Sequence, residues 1–309
     1  MAERPLRVAL IGVGDIAAKA YLPVLAADAT VHPVLVTRDE GRRARLQAAW
    51  RIDEAFRDVP ALLAGGHPPD AAFVHAATVA HPELAHALID AAVPTFVDKP
   101  LALTLADSRA IVEHARAAHV SLAVLFNRRF APAYAELASW PGLDTVVLTK
   151  NRHRLPDEAR WFVVDDFVHV VDTLRFLVGP DVELVDVAAR RSEDGRLGRL
   201  AIVVRSGGRV GVGIMDRDGG QTVEVLEAMA PGRSRRVTDL VDVVDRHDGV
   251  ELHAQPSNWA SVSAQRGFVA MVASLLASVR HGEVLDAGDA LMTHLLCEEV
   301  LRQAVEQAG

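Results

Sequence analysis

Leu6-Arg7-Val8-Ala9-Leu10-Ile11-Gly12-Val13-Gly14-Asp15-Ile16-Ala17 decides how this chain is read. A mostly apolar run with the character of a buried strand passes straight into two glycines at the spacing GxGxxA, and residues 16–20 resume with helical chemistry. In a strand-turn-helix of this kind Gly12 makes the tight turn, Gly14 lets the backbone approach a pyrophosphate, and Ala17 lets the helix pack closely on the strand. Asp15 and Ile16 begin the helix whose N-terminus would hold the anion. The same glycines could form a turn without a ligand. Their place at the head of a repeating β/α pattern favours the nucleotide.

Residues 31–37 read as a second strand that ends at Thr37-Arg38-Asp39. An acid at this tip would bond the 2′-hydroxyl of an adenosine ribose, whereas an arginine suits a 2′-phosphate. Thr37 stands where the acid is expected, so Arg38 beside it favours NADP; Asp39 is the rival that would restore NAD, and a solvated Arg38 is the third reading. Helical patterns at 42–50, 58–64 and 82–92 then alternate with apolar strand patterns at 71–74, 95–97 and 120–125. Strands apolar on both faces and alternating with helices form a parallel sheet covered on both sides, with ligands at the carboxyl ends of the strands. Asp98-Lys99-Pro100 stands at one such end. Lys99 is either solvated there or functional, and Pro100 restricts the local backbone and makes a cis bond a candidate.

The chain has 309 residues, half of them hydrophobic, which permits about two domains with ample core. Its formal charge of −8 argues against a nucleic-acid partner held by backbone electrostatics. The single cysteine, Cys297, excludes an intrachain disulfide and a cysteine-based zinc site and fits a reducing cytoplasm. The apolar opening is broken by Gly12 and Gly14, so it is not expected to act as a signal peptide, and no run reaches the ~18 apolar residues of a membrane span. These features predict a cytoplasmic protein with a small-molecule substrate and neither nucleic acid nor membrane as partner.

From Leu143 onward the pattern changes to β-branched, alternating runs at 145–148, 182–189, 200–204, 210–215, 222–226 and 237–244, joined by glycine-bearing turns. Two amphipathic helices, 261–280 and 287–307, close the chain, the first capped through Ser261. The expected architecture is therefore α/β: an N-terminal doubly wound parallel sheet of the Rossmann type, then an α+β domain with an open, mostly antiparallel sheet. One helix, about 157–178, is inserted into the second domain. Along it Asp165, His169 and Asp172 fall at i, i+4 and i+7 and share one stripe, with Val163, Phe167, Val170, Val171, Leu174 and Leu177 on the opposite face. Simple amphipathicity would leave the stripe solvated. Trp161, Phe162, Val168 and Phe176 edge it, however, as they would the wall of a cleft. A zinc site is the weaker reading, because no second histidine stands at helical spacing; no metal is expected.

The GxGxxA turn, the turn at 78–81, Asp98-Lys99-Pro100, Asn127-Arg128-Arg129-Phe130-Ala131-Pro132 and the stretch from Asp165 to Asp172 together resemble the Gfo/Idh/MocA oxidoreductases, and among them the MviM-type members. One departure is Asp98, where the family usually has glutamate before the lysine. The resemblance implies a first domain over 1–126 that binds NAD(P), and a second over 127–309 for substrate binding and oligomerisation. It places Thr78, His81, Asp98 and Lys99 at the cofactor and makes Asn127 and Arg128, at the domain junction, candidates for the substrate. It further implies that His169 is the acid/base, that Asp165 orients the imidazole or the reacting group, and that Asp172 holds a hydroxyl or fixes the histidine. An imidazole titrating near neutral pH can take the alcohol proton, while Lys99 hydrogen-bonds the same oxygen. Lys150, Arg152, His153 and Arg154 form a basic cluster that would suit a carboxylate or phosphate on the substrate, and Trp161 flanks the same helix.

The activity so implied is hydride transfer between NADP or NAD and a secondary alcohol or ketone of a sugar, sugar acid or cyclitol, by a homodimer or homotetramer. Two rivals share the resemblance: a glycoside hydrolase or lyase that oxidises its substrate transiently with tightly held NAD, and a non-catalytic dinucleotide sensor.

Overall fold

A computed structural model describes residues 4–255 and 257–307. The chain divides into two compact units: one holds the residues up to Leu125 together with Phe268–Leu291, the other holds Phe126–Gly267 and the segment from Met292. The expected second domain, 127–309, therefore gives up a segment near its end. Phe268 explains why, since its ring meets that of Tyr21 edge-on at 5.1 Å and joins the first unit's core.

The first unit is built on β1 (Leu6–Ile11), β2 (Val31–Val36), β3 (Ala55–Phe56), β4 (Ala71–Val74), β5 (Thr95–Val97) and β6 (Leu122–Val124). They pair in parallel in the order β3-β2-β1-β4-β5-β6. Val8–Ile11 of β1 and all of β4 are buried because helices cover both faces of a parallel sheet, which is why these strands carry almost no polar residue. Strand order reverses between β1 and β4, and the turns after these two strands meet at that crevice. Gly12 has φ +76°, and a Cβ on it would lie 2.4 Å from the backbone nitrogen of Ala76, so conformation and space both require glycine.

The second unit contains an eight-stranded sheet: β7 (Thr145–Asn151), β8 (Glu183–Arg191), β9 (Leu197–Ser206), β10 (Arg209–Asp216), β11 (Val223–Ala230), β12 (Arg233–Thr238), β13 (Asp242–His247) and β14 (Val250–Ala254). Its order is β14-β13-β12-β11-β7-β10-β9-β8, antiparallel throughout except between β7 and β10. The strand expected at 237–244 is in fact the hairpin between β12 and β13. Asp239 and Leu240 both adopt positive φ there, a turn without the usual glycine. β14 was not anticipated, because its side chains are all exposed and give no buried alternation.

One face of this sheet is covered by the helix Val168–Val178. The approach is close: a Cβ at Gly213 would lie 2.6 Å from Cγ1 of Val170 and 3.0 Å from Cδ1 of Leu174. Gly213→Ala is therefore expected to cost about 1–3 kcal/mol by overpacking, seen as a lower urea midpoint with an unchanged slope. The expected helix at 261–280 is broken at Gly267, φ +84°, into Val262–Gln265, capped by Ser261 as expected, and Phe268–His281. Among the described residues no helix is long and apolar enough to cross a membrane.

Candidate active site

In the first unit the nucleotide turn is shaped as its sequence requires. The Gly14 N–H donates to the Gly12 carbonyl at 2.8 Å, and the Ala18 N–H to the Gly14 carbonyl at 3.0 Å. A Cβ on Gly14 would meet nothing within 4 Å, which leaves room for a pyrophosphate, while Ala17 is fully buried against the strand. Ile16 is exposed beside the turn. Asp15 forms ion pairs with Lys19 at 3.2 Å and Arg42 at 3.4 Å, and these neighbours, Lys19 foremost, hold its carboxyl below the usual range. Arg42 was not anticipated from sequence; its guanidinium donates to the Val13 carbonyl at 2.8 Å and so lies over the glycine turn.

At the β2 tip Thr37 is half-buried and Arg38 exposed. Asp39 caps the helix Glu40–Trp50, accepting from the Arg42 N–H at 2.8 Å, so one of its two oxygens is committed to the backbone.

The ends of β4 and β5 carry the next group. Lys99 is half-buried, its peptide bond to Pro100 is cis, and its N–H donates to Asp98 Oδ1 at 2.9 Å. Asp98 Oδ2 lies 3.3 Å from Nδ1 of His75, the residue following β4. Burial opposes the charge on Asp98, but His75 and the nearby Lys99 outweigh it and hold the carboxyl below its ordinary value. The turn at 78–81 starts with the half-buried Thr78. His81, expected at the cofactor, is instead buried as a staple: Nδ1 is 2.9 Å from the Pro100 carbonyl and Nε2 is 2.9 Å from that of Ala76. Burial pushes its pKa down, partly offset by those two carbonyls. Its service to a nucleotide would be indirect, through the two turns it ties together.

In the second unit the expected helix 157–178 begins as a π-helical stretch, Trp161–Phe167, and continues as the α-helix Val168–Val178. Wide turns of this type collect at functional sites. Asp165 and His169 are half-buried on it, and Trp161 is exposed. Asp172 parts company with them: it is 1% exposed and held by Arg129, with Nη2 2.6 Å from Oδ1, and by the Thr293 hydroxyl at 3.3 Å. The rings of Phe126 and Phe176 flank that guanidinium at 5.7 and 5.9 Å. Of the three stripe residues, Asp165 and His169 remain partly accessible to a substrate.

Asn127 and Arg128 are also turned inward rather than offered to a ligand. The Asn127 amide donates to the Arg266 carbonyl at 2.9 Å, and Arg128 forms a two-pronged ion pair with Glu224 at 2.9 and 2.6 Å, to which the Tyr134 hydroxyl adds a bond at 3.2 Å. A second buried cluster centres on Asp166, which the sequence pattern passed over in favour of its neighbour. Asp166 accepts from Lys150 and receives Arg152 at 2.8 Å on both oxygens. Burial, with Arg128 next in importance, pushes Lys150 down to about 7. Burial also works against the Asp166 charge, but Arg152 and Lys150 together hold its carboxyl far below the ordinary range. Arg128, Lys150, Arg152 and Glu224 line a cavity of about 190 Å³ with Thr222 and Asp239. The expected basic cluster is thus divided: buried Lys150 and half-buried Arg152 share the Asp166 carboxylate, which was not assigned to it, while His153 and Arg154 are exposed. Cys297 is buried, and burial pushes its thiol well above the ordinary range, as for a core residue. Among the described residues no group of three or more histidine, cysteine or acidic side chains could hold a metal ion.

Residues 6–126 match the family model described as an oxidoreductase family with an NAD-binding Rossmann fold, and residues 132–247 match the YceM-like C-terminal domain. The chain is 32% identical to the protein YceM of Salmonella typhimurium, over 98% of its own length and 100% of that protein's. It is 30% identical to inositol 2-dehydrogenase 1 of Saccharopolyspora erythraea over 63% of this chain and 61% of the other. A crystal structure of a Gfo/Idh/MocA family oxidoreductase from Vibrio cholerae superposes with a TM-score of 0.90 at 32% identity, covering 98% of this chain and 99% of that one.

Proposed function

The chain belongs to the Gfo/Idh/MocA oxidoreductases and is an NAD(P)-dependent dehydrogenase, and on that premise we propose that it oxidises a secondary alcohol of a sugar, sugar acid or cyclitol, or reduces the matching ketone, with NADP preferred over NAD. The observation that carries the reading is the placement of Lys99 at the carboxyl end of β5, in the sheet whose β1 ends at the Gly12 turn. That is the edge at which doubly wound sheets bind nucleotides.

A nicotinamide nucleotide held at the Gly12–Gly14 turn would supply the hydride acceptor for the carbinol carbon, or the donor in the reverse direction. In the oxidation direction the hydroxyl proton passes to the His169 imidazole, which Asp165 orients, as the carbon gives up its hydride. Lys99 donates a hydrogen bond to the same oxygen and stabilises the negative charge that grows on it. Gly14 would hold the pyrophosphate, Thr37 and Arg38 the adenosine ribose, and Thr78 would border the nucleotide. Trp161, which is exposed, and Arg152, a third exposed, are the side chains of the second unit assigned to substrate substituents; the alternating face of β7 that is not buried is assigned to a second copy.

The test is net reduction of NADP+ or NAD+ by a panel of polyols and sugar acids, followed by absorbance. Stoichiometric reduced cofactor is expected; turnover of a glycoside without cofactor consumption, or no turnover at all, would overturn the reading. Cofactor choice has its own test. Arg38→Ala should weaken NADPH binding roughly 10- to 100-fold, the worth of a charge-assisted bond to phosphate. NADH binding should change by less than about twofold, because NADH lacks that phosphate. Fluorescence titration of both nucleotides distinguishes this from a solvated arginine.

A further inference from the structure

We propose that His75 is a positioning residue for Lys99, acting through Asp98; the proposal rests on the role given to Lys99 above. The imidazole side chain is 0% exposed just past the carboxyl end of β4, a strand composed of alanine, phenylalanine and valine. Its ring lies against Tyr21, with centroids 4.0 Å apart, and is stacked at 6.5 Å on Phe73. Nδ1 faces Asp98 Oδ2, and the other oxygen of that carboxylate accepts the backbone N–H of Lys99. Nε2 is buried with no hydrogen-bond partner.

A polar ring in such surroundings costs desolvation, and an orphaned nitrogen costs more, so packing alone does not explain a histidine here. The one bond it makes selects the tautomer with the proton on Nδ1. In that state the pair His75–Asp98 carries one negative charge next to Lys99, and both oxygens of Asp98 are fixed. The other titratable groups facing the ring are the Tyr21 phenol, which feels Asp98, and the His81 imidazole, which feels His75.

The chain has three lysines, Lys19, Lys99 and Lys150, so acetylation mapped by mass spectrometry can follow Lys99 directly. Lys19 is exposed and serves as the internal reference, while Lys150 is shielded. In the full-length protein the rate of Lys99 acetylation relative to Lys19 is expected to shift in both His75→Gln and His75→Leu, and more in the latter, because the Asp98 carboxylate loses the partner that fixes it. Asp98→Asn should raise the Lys99 rate severalfold at fixed pH, because the charge that favours the ammonium is gone. In turnover, His75→Leu should lower kcat about tenfold with the KM for NADPH within about twofold. His75→Gln, whose amide can still donate to Asp98, should recover most of that kcat.

Identical Lys99 labelling profiles in wild type and both His75 variants would overturn the proposal, as would a glutamine variant no better than leucine in kcat. Should the leucine variant fail to fold, the glutamine variant alone decides through its labelling profile. Should no polyol be oxidised by the wild type, the labelling arm still stands, and that failure belongs to the proposed reaction.

Discussion

Lys99→Met is expected to lower kcat by about 10²–10³-fold while the dissociation constant for NADPH stays within about twofold. Methionine keeps the length and apolar stem of the lysine and removes only the ammonium. The hydrogen bond from residue 99 to Asp98 uses the backbone N–H, so it survives the substitution. Asp98 also keeps His75, at 3.3 Å, as a second partner. The glycine turn that receives the pyrophosphate makes its contacts through backbone atoms of Gly12, Gly14 and Ala18, none of which involves the ammonium. What the variant lacks is a donor for charge that develops only as hydride leaves the carbinol carbon, so the loss should fall on kcat and kcat/KM together rather than on KM alone. Steady-state kinetics beside a nucleotide titration separates this from a lysine that merely helps to hold the cofactor, for which the dissociation constant would rise and kcat would not fall.

The parts of the molecule legible in sequence are those where a local rule and the tertiary environment agree. β1, β4 and β5 fall where their apolar runs lie, because a strand buried on both faces has no reason to carry anything else. Gly12 is legible for the same reason, since the turn admits no side chain. Asp165, His169 and Asp172 show the limit. Helical spacing places three polar residues on one stripe but cannot say which of them meets a guanidinium; Arg129, 43 residues earlier, takes Asp172 out of reach. Adjacent carboxylates are ambiguous in the same way. Asp165 and Asp166 are indistinguishable as residue types, and their fates are divided by the π-helical stretch and by Lys150 and Arg152 at the end of β7. His75 gave no signal because a histidine ending an apolar strand has no short-range partner, and Asp98 lies 23 residues away. A search for polar residues at strand ends that face one another across the β4–β5 pair would have found it.

Asp166→Asn should have the largest effect on stability, about 3–5 kcal/mol near pH 6, because it strips the shared anion from a buried lysine and an arginine. Lys150 is 3% exposed and cannot reach water, and Arg152 is only a third exposed. The dependence on pH follows from the direction of each shift. Asp166 is held far below its unfolded value, so its contribution is fully present above the ordinary carboxylate range and disappears as pH falls through the depressed folded value. Lys150 is lowered to about 7, so between about 7 and the usual lysine value the unfolded chain binds more protons than the folded one, and stability rises with pH across that window. With Asp166 absent, a charged Lys150 has no counter-ion, and it escapes the penalty by giving up its proton. The gap between wild type and Asp166→Asn should therefore be widest just above the carboxylate range, closing toward strong acid as Asp166 protonates, narrowing toward about pH 7 as Lys150 of the variant gives up its proton before that of the wild type, and staying level above it. Urea unfolding near pH 4, 6 and 9 measures the three regimes. A gap under about 1 kcal/mol near pH 6, or one that does not change with pH, would mean that the ion cluster on β7 contributes no net stability and that the second unit is held by the packing of Val168–Val178 on β10 alone.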